Sequence, residues 1–285
     1  MRKILLKEES IPIENNNSLA QIEAEFGSLE VGKIKEELQK IEKELLYRNA
    51  REDTNAFCEL VMRDQQTSQP FKQARVHRTI QNHISWCLEN GYFTGILAHW
   101  GVGKSSQVLA RGLDILGKKP NSRIKIVCNI DDHAKQRVNS IREYLDKSEE
   151  YQLIYPGVYP DKKEKWGERK LNVKRDTYGA TDYSVEAGGI FSSAISGRCD
   201  VLIGDDVADY KNSVLNTASR KQVIQSWENN WVSRLEPNGT IIYIATPWHR
   251  EDLSFKLLNN KRYAFLILEI SQDLSKINVK KRYWG

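Results

Sequence analysis

The sequence has no apolar run of membrane-spanning length, and its N-terminus has no hydrophobic segment of signal-peptide type. No membrane partner is expected. The four cysteines, Cys58, Cys87, Cys128 and Cys199, stand far apart with no paired spacing. They read as reduced, mostly buried thiols of a cytosolic protein rather than as a disulfide framework. The five histidines show no metal-ligand spacing, which argues against a zinc site. Excess charge of one sign is also scarce. Lys and Arg number 43 against 38 Asp and Glu, a net +5 that permits a polyanionic partner without demanding one. What is present, 40% hydrophobic and 28% charged residues over 285 positions, suits one large α/β domain with a small appendage.

Residues 1–30 are polar and irregular, with Asn15-Asn16-Asn17, and are expected to form a mobile arm. Residues 31–64 form a helical appendage by pattern: Ile34, Leu38, Ile41 and Leu45 recur at helical spacing among Lys and Glu. There are too few heptads for a coiled coil, so packing on the core is the expected use. A second helix fits Thr54 to Met62, capped by Asp53 or Thr54.

The organising stretch is Ala98-His99-Trp100-Gly101-Val102-Gly103-Lys104-Ser105. It follows the apolar run ending at Leu97 and precedes a helical pattern with Val108, Leu109, Leu113 and Leu116 on one side. Strand, Gly-rich turn and helix form the context that a P-loop requires. Gly101 and Gly103 let successive N–H groups turn inward to a phosphate, and the helix adds its unpaired donors and positive dipole end. Lys104 would reach the β/γ-phosphates and Ser105 would ligate Mg²⁺. Gly101, Val102, Gly103, Lys104, Ser105 and Ser106 are the candidate nucleotide-binding residues, although Ala98 stands where the motif has Gly. Upstream, Phe71 and Gln73 are placed to stack on and hydrogen-bond an adenine. A solvated helix end is the alternative for both.

Gly117 and Pro120 mark the end of the P-loop helix. Ile124 to Cys128 reads as a buried parallel strand, and Asp131 or Asp132 opens an amphipathic helix to Leu145. This alternation argues for a parallel sheet covered on both faces. Between 151 and 190 the rhythm breaks into Tyr-Pro turns and a basic stretch from Lys162 to Arg175 around Trp166. That stretch suits either contact with a nucleic-acid backbone or an ordinary surface hairpin. Cys199 to Asp206 is a short apolar strand ending in two carboxylates. In P-loop enzymes the first acid here, Asp205, holds Mg²⁺ opposite Ser105, and the second, Asp206, can deprotonate the attacking water. Gly239 to Thr246 is a further buried strand, ending in a hydroxyl placed to sense the γ-phosphate.

Three blocks together resemble the ATPase half of large terminase subunits, the DNA-packaging motors of tailed bacteriophages. They are the P-loop at Ala98–Ser105, Ile195-Ser196-Gly197-Arg198 leading into Asp205-Asp206, and Thr246-Pro247-Trp248-His249-Arg250-Glu251-Asp252-Leu253. Trp100 and Pro247 stand where many of these proteins carry Arg, and Asp206 where many carry Glu. The resemblance covers about residues 50–260 and implies a RecA-like P-loop NTPase with a mainly parallel sheet flanked by helices. It implies ATP and Mg²⁺ as ligands, with Lys104 and Ser105 for phosphate and metal, Asp205 for Mg²⁺, Asp206 as base and Thr246 for coupling. Further implied are double-stranded DNA, a portal protein and a small terminase subunit as partners, a ring homo-oligomer, and the host cytoplasm as location. The core is expected over 65–270, with 271–285 as the start of a linker; too little chain follows Thr246 for the family's nuclease domain, and no nuclease activity is expected.

A ring would let one subunit complete its neighbour's site with an arginine. Arg198, in the turn feeding the Asp205-Asp206 strand, is the candidate for this catalytic finger, provided that its loop folds back toward the site; Arg137, Arg142 and Arg234 compete. Two alternatives share part of this reading. A helicase-like remodelling ATPase would need a second RecA-like domain, and an assembly module with a structural nucleotide site would bind ATP without turning it over.

Overall fold

The computed structural model describes residues 28–64, 66–161, 166–177, 181–193, 195–270 and 277–282. The chain divides into two compact units, Met1–Leu46 and Tyr47–Gly285. In the first, the described residues belong to helix α1 (Ser28–Glu52). Its Ile34, Leu38, Ile41 and Leu45 lie along this helix at helical spacing. Near the end of the helix, within the second unit, Ala50 is fully buried. The rest of the expected arm, 1–27, lies outside the described residues.

The second unit opens with α2 (Thr54–Val61), whose N-cap Asp53 accepts from the backbone N–H of Asn55, and α3 (Arg75–Glu89). Then come β1 (Phe93–Ala98), α4 (Lys104–Lys118), β2 (Ile124–Cys128), α5 (Asp131–Lys147) and α6 (Glu149–Ile154). The second half contributes β3 (Lys170–Leu171), β4 (Val185–Gly189), β5 (Cys199–Asp205) and α7 (Thr217–Ser226). It closes with β6 (Leu235–Ala245), α8 (Leu253–Leu258), β7 (Tyr263–Ile270) and β8 (Ile277–Arg282).

The strands form one sheet in the order β3-β4-β2-β5-β6-β1-β7-β8. Every neighbouring pair from β4 to β7 is parallel, with antiparallel β3 and β8 at the edges. The strands β1 and β2 are buried along their whole length, as expected of parallel strands covered on both faces. Alternate residues serve opposite layers. Ile96, Ile126, Ile203, Ile244 and Leu266 join the core under α2 to α6, whereas Leu97, Val127, Leu202, Tyr243 and Phe265 join the core around Trp227 and Trp231.

Two expectations change. The P-loop helix does not stop at Gly117 but runs to Lys118, and a Cβ on Gly117 would sit 2.2 Å from the Tyr155 ring. Close packing, not termination, accounts for that glycine. The basic tail, expected to start a linker, instead supplies β8, paired with β7 from Phe265↔Arg282 to Ile270↔Ile277. Among the described residues no helix is long and apolar enough to cross a membrane.

One contact ties the core directly to the strand end that matters for chemistry. At Gly204, next to Asp205, an added Cβ would lie 2.8 Å from the Trp227 ring and 2.9 Å from that of Tyr243. Gly204→Ala is therefore expected to cost about 1–3 kcal/mol by overpacking. The cost should shrink in a Trp227→Leu background, where the ring is gone. Chemical denaturation of the two single variants and the double variant measures both terms; equal cost in both backgrounds would place the strain elsewhere.

Candidate nucleotide site

Parallel register brings three strand ends to one edge. Leu97 of β1 pairs with Ala245 of β6, and Asp205 of β5 with Ile244 of β6. The loops leaving β1, β5 and β6 consequently start side by side, at the carboxyl edge where open α/β sheets bind ligands.

The loop after β1 turns through two left-handed glycines, Gly101 (φ +80°) and Gly103 (φ +77°), before α4 begins at Lys104. Such a turn presents successive N–H groups to one concavity. The His77 ring supports it from below, with Nε2 3.1 Å from where a Cβ on Gly103 would be. Lys104 is 4% exposed, and its Nζ donates to Ala98 O, His99 O and Thr246 Oγ1, each at 3.0 Å. Burial pulls its pKa below the usual lysine value, and Asp206 and Asp205 resist that pull.

Thr246 faces both ways. Its hydroxyl accepts from Lys104, and its backbone N–H donates to Asp206 Oδ1 at 2.8 Å. Asp206 itself has φ +47°, a left-handed conformation uncommon outside glycine. Its N–H donates to Ile244 O at 3.0 Å, which holds that conformation against the end of β6. Backbone strain of this kind concentrates at functional sites. Burial raises the pKa of Asp206, and Lys104 and the Thr246 N–H only partly offset it.

The neighbouring acid has different partners. Asp205 Oδ1 accepts from Ser105 Oγ at 2.9 Å, and Oδ2 accepts from Arg137 Nε. Arg137, on α5, also donates from Nη2 to Ser105 Oγ at 3.2 Å. Burial lowers its pKa, yet the Asp205 carboxylate more than compensates, so it stays cationic. The oxygen pair Ser105–Asp205, already matched to a positive group, has the hard-donor chemistry that Mg²⁺ requires. No group of three or more His, Cys, Asp or Glu forms another candidate metal site among the described residues.

The loop after β6, from Thr246 to Leu253, is closed by its own side chains. Asp252, fully buried, accepts from the N–H groups of Trp248, His249 and Phe255, closing the turn and capping α8. Glu251 bonds Arg220 at 2.7 Å. The turn thus holds the chain that leaves Thr246.

Other sequence-predicted residues divide. Phe71 lines a cleft of about 800 Å³ beside Ser106, together with Met62, Arg63, Leu109 and Tyr144. Gln73 does not face it: its side chain is buried, with Nε2 donating to Gln107 Oε1 at 3.2 Å and Oε1 accepting from Gln107 Nε2 at 2.9 Å. Arg198 is exposed at the opposite end of β5 from Asp205, roughly 20 Å away along the strand. The fold-back expected of its loop does not occur. Arg142 bonds Gly167 O, and Arg234 bonds Asn230 O. Arg137 is the arginine brought into the cluster; its position in mid-helix carries no motif, so only the sheet order reveals it. Of the basic stretch, residues 162–165 lie outside the described residues, while Arg169 pairs with Asp131 and Lys170 with Glu186.

No protein-family model matches the sequence, and no curated protein does. Among solved structures the fold matches the HK97 bacteriophage large terminase, with a TM-score of 0.53 and 15% identity over 78% of this chain and 44% of that one. This chain thus spans less than half the length of the terminase that it matches. A mutant of the Thermus phage P74-26 large terminase ATPase domain aligns over 66% of this chain and 70% of that one, at 17% identity and a TM-score of 0.42. At such identity the HK97 likeness is one of fold: a RecA-like core with a mainly parallel sheet.

The raised pKa of Asp206 sets a pH dependence. The folded state holds this proton more tightly than the unfolded chain, so stability falls as pH rises from the ordinary carboxylate range through the raised folded value. Asp206→Asn removes that loss. The variant is expected to match wild type in acid and to exceed it above the raised pKa. Melting temperatures across the pH range check this; a constant difference at all pH values would contradict it.

Proposed function

We propose that this chain is the ATP-hydrolysing part of a large-terminase motor that drives double-stranded DNA into a capsid in the host cytoplasm. The observation that carries the reading is the bonded path Lys104–Thr246–Asp206 lying against the Ser105–Asp205 pair. The likeness of fold to the HK97 bacteriophage large terminase supports it.

In this reading the N–H groups of Gly101, Val102, Gly103 and Ser106 cradle the phosphates, and the nucleoside lies in the cleft lined by Phe71. Lys104 exchanges its carbonyl partners for phosphate oxygens, a stronger charge-assisted bond. Ser105 and Asp205 would hold Mg²⁺, which would supply positive charge against the negative charge that develops on phosphoryl transfer. Asp206 accepts the proton of the attacking water, and its raised pKa brings it closer to working pH. Thr246 joins the lysine that meets the γ-phosphate to the base, so loss of that phosphate alters both partners of one residue.

Exposed apolar side chains crowd the same edge of the sheet. Trp100 is 72% exposed, and Ile130, Tyr210, Leu215 and Trp248 follow β2, β5 and β6. An apolar rim around a nucleotide site suits an adjacent copy of the chain, as in a ring. The portal protein and small terminase subunit enter as partners through the resemblance of motifs.

Phosphate release from Mg-ATP, with and without linear double-stranded DNA, tests the reading. Asp206→Asn should keep nucleotide affinity and lose about 10²–10⁴-fold in rate, because an amide cannot take the proton. Lys104→Ala should weaken binding roughly 10- to 100-fold by loss of a charge-assisted bond. Wild-type turnover by Asp206→Asn would remove Asp206 as the base. No turnover by wild type with DNA, at any protein concentration, would overturn the motor.

A further inference from the structure

The centre contains one charged side chain that the proposed chemistry does not use. Arg137 closes a three-way ring with Asp205 and Ser105, the two groups assigned to the metal. Asp205 is 4% exposed, and a carboxylate that buried needs a cation beside it. Val138 and Ile141 are fully buried and anchor α5 here, while the Arg137 side chain keeps 29% exposure.

We propose that Arg137 is the resident counter-cation of the Ser105–Asp205 pair and takes the metal's place until a magnesium nucleotide arrives. The proposal rests on the nucleotide reading above and adds an order of events. Free Mg²⁺ would have to shed tightly held water and displace a tethered cation, with no new anion in return. A magnesium nucleotide brings its own negative phosphates, which can receive the displaced guanidinium. The metal therefore enters with nucleotide and not before it. Arg137 acts here as a positioning residue: it keeps the two oxygens spaced for the ion and keeps Asp205 from standing bare.

The test has two arms, neither of which reads turnover. In the first, melting temperature is followed against MgCl₂ alone. Wild type should not respond, whereas Arg137→Gln should start lower and rise with Mg²⁺, because the pair has lost its internal cation. In the second, binding of a fluorescent N-methylanthraniloyl-ATP is followed against free Mg²⁺. The Mg²⁺ midpoint of Arg137→Gln should fall about tenfold relative to wild type, as expected when a like charge a few ångströms from the metal is removed. Arg137→Lys keeps the charge and loses the fork that bridges both oxygens. It should ignore Mg²⁺ alone, as wild type does, with a midpoint between the other two.

An Arg137→Gln protein that binds the analogue at the wild-type Mg²⁺ midpoint and ignores Mg²⁺ alone would overturn the proposal. So would a wild type that is stabilised by Mg²⁺ alone as much as the variant. If Arg137→Gln does not fold, Arg137→Lys decides, and an unshifted midpoint overturns the proposal. Absence of analogue binding by wild type would instead count against the nucleotide site, and the first arm would still decide the role of Arg137.

Discussion

The contact on which the rest depends is the Lys104 ammonium against the Thr246 hydroxyl. These residues are far apart in sequence and meet because β1 and β6 are parallel neighbours in fixed register. Without that pairing the P-loop would be a Gly-rich turn with a lysine beside it. With it, the loop shares a residue with the β5 edge, since Thr246 also donates to Asp206. The sheet thus converts three separate strand ends into one bonded set.

Charge balance sets how tightly this set can be built. Two buried or half-buried cations, Lys104 and Arg137, face two carboxylates, Asp205 and Asp206. The partners are not shared evenly. Asp205 has a hydroxyl and a guanidinium on its two oxygens, whereas Asp206 has a backbone N–H and a more distant lysine. One acid is accordingly bonded to a cation, and burial leaves the other easier to protonate. Environment, not residue type, divides the labour. The strained φ of Asp206 adds to this, because the β6 edge fixes where its carboxylate points.

Much of this was legible in the sequence wherever a local rule applied. Continuous apolar runs marked β1, β2, β5 and β6, and the glycines at 101 and 103 marked the left-handed turn after β1. Other features depended on long-range partners. The strand Val185-Glu186-Ala187-Gly188-Gly189 hid behind a charge and two glycines; Lys125 of the adjacent strand buries that charge with it. Gln73 looked free to read a base, yet Gln107 of the neighbouring helix α4 satisfies its amide at both ends. Arg198 enters, as its place before the strand implies, at the far end from the acids, and its loop does not fold back to them. Arg137 stood in the sequence only as one of several competing arginines, because mid-helix arginines are common and only the neighbour relation of β2 and β5 aims α5 at the site. The stripe on α1 had a clear period and does form a helix, but periodicity says that a face exists and not what covers it.

The most direct measurement of the central claim is a crystal structure with Mg²⁺ and ADP–beryllium fluoride, which mimics the γ-phosphate before hydrolysis. The account predicts that Lys104 Nζ leaves the Ala98 and His99 carbonyls for the fluoride and β-phosphate oxygens, that Ser105 ligates the metal, and that a water lies within hydrogen-bond distance of Asp206. A nucleotide bound elsewhere, or one bound here with Lys104 still on both carbonyls and no water at Asp206, would contradict it.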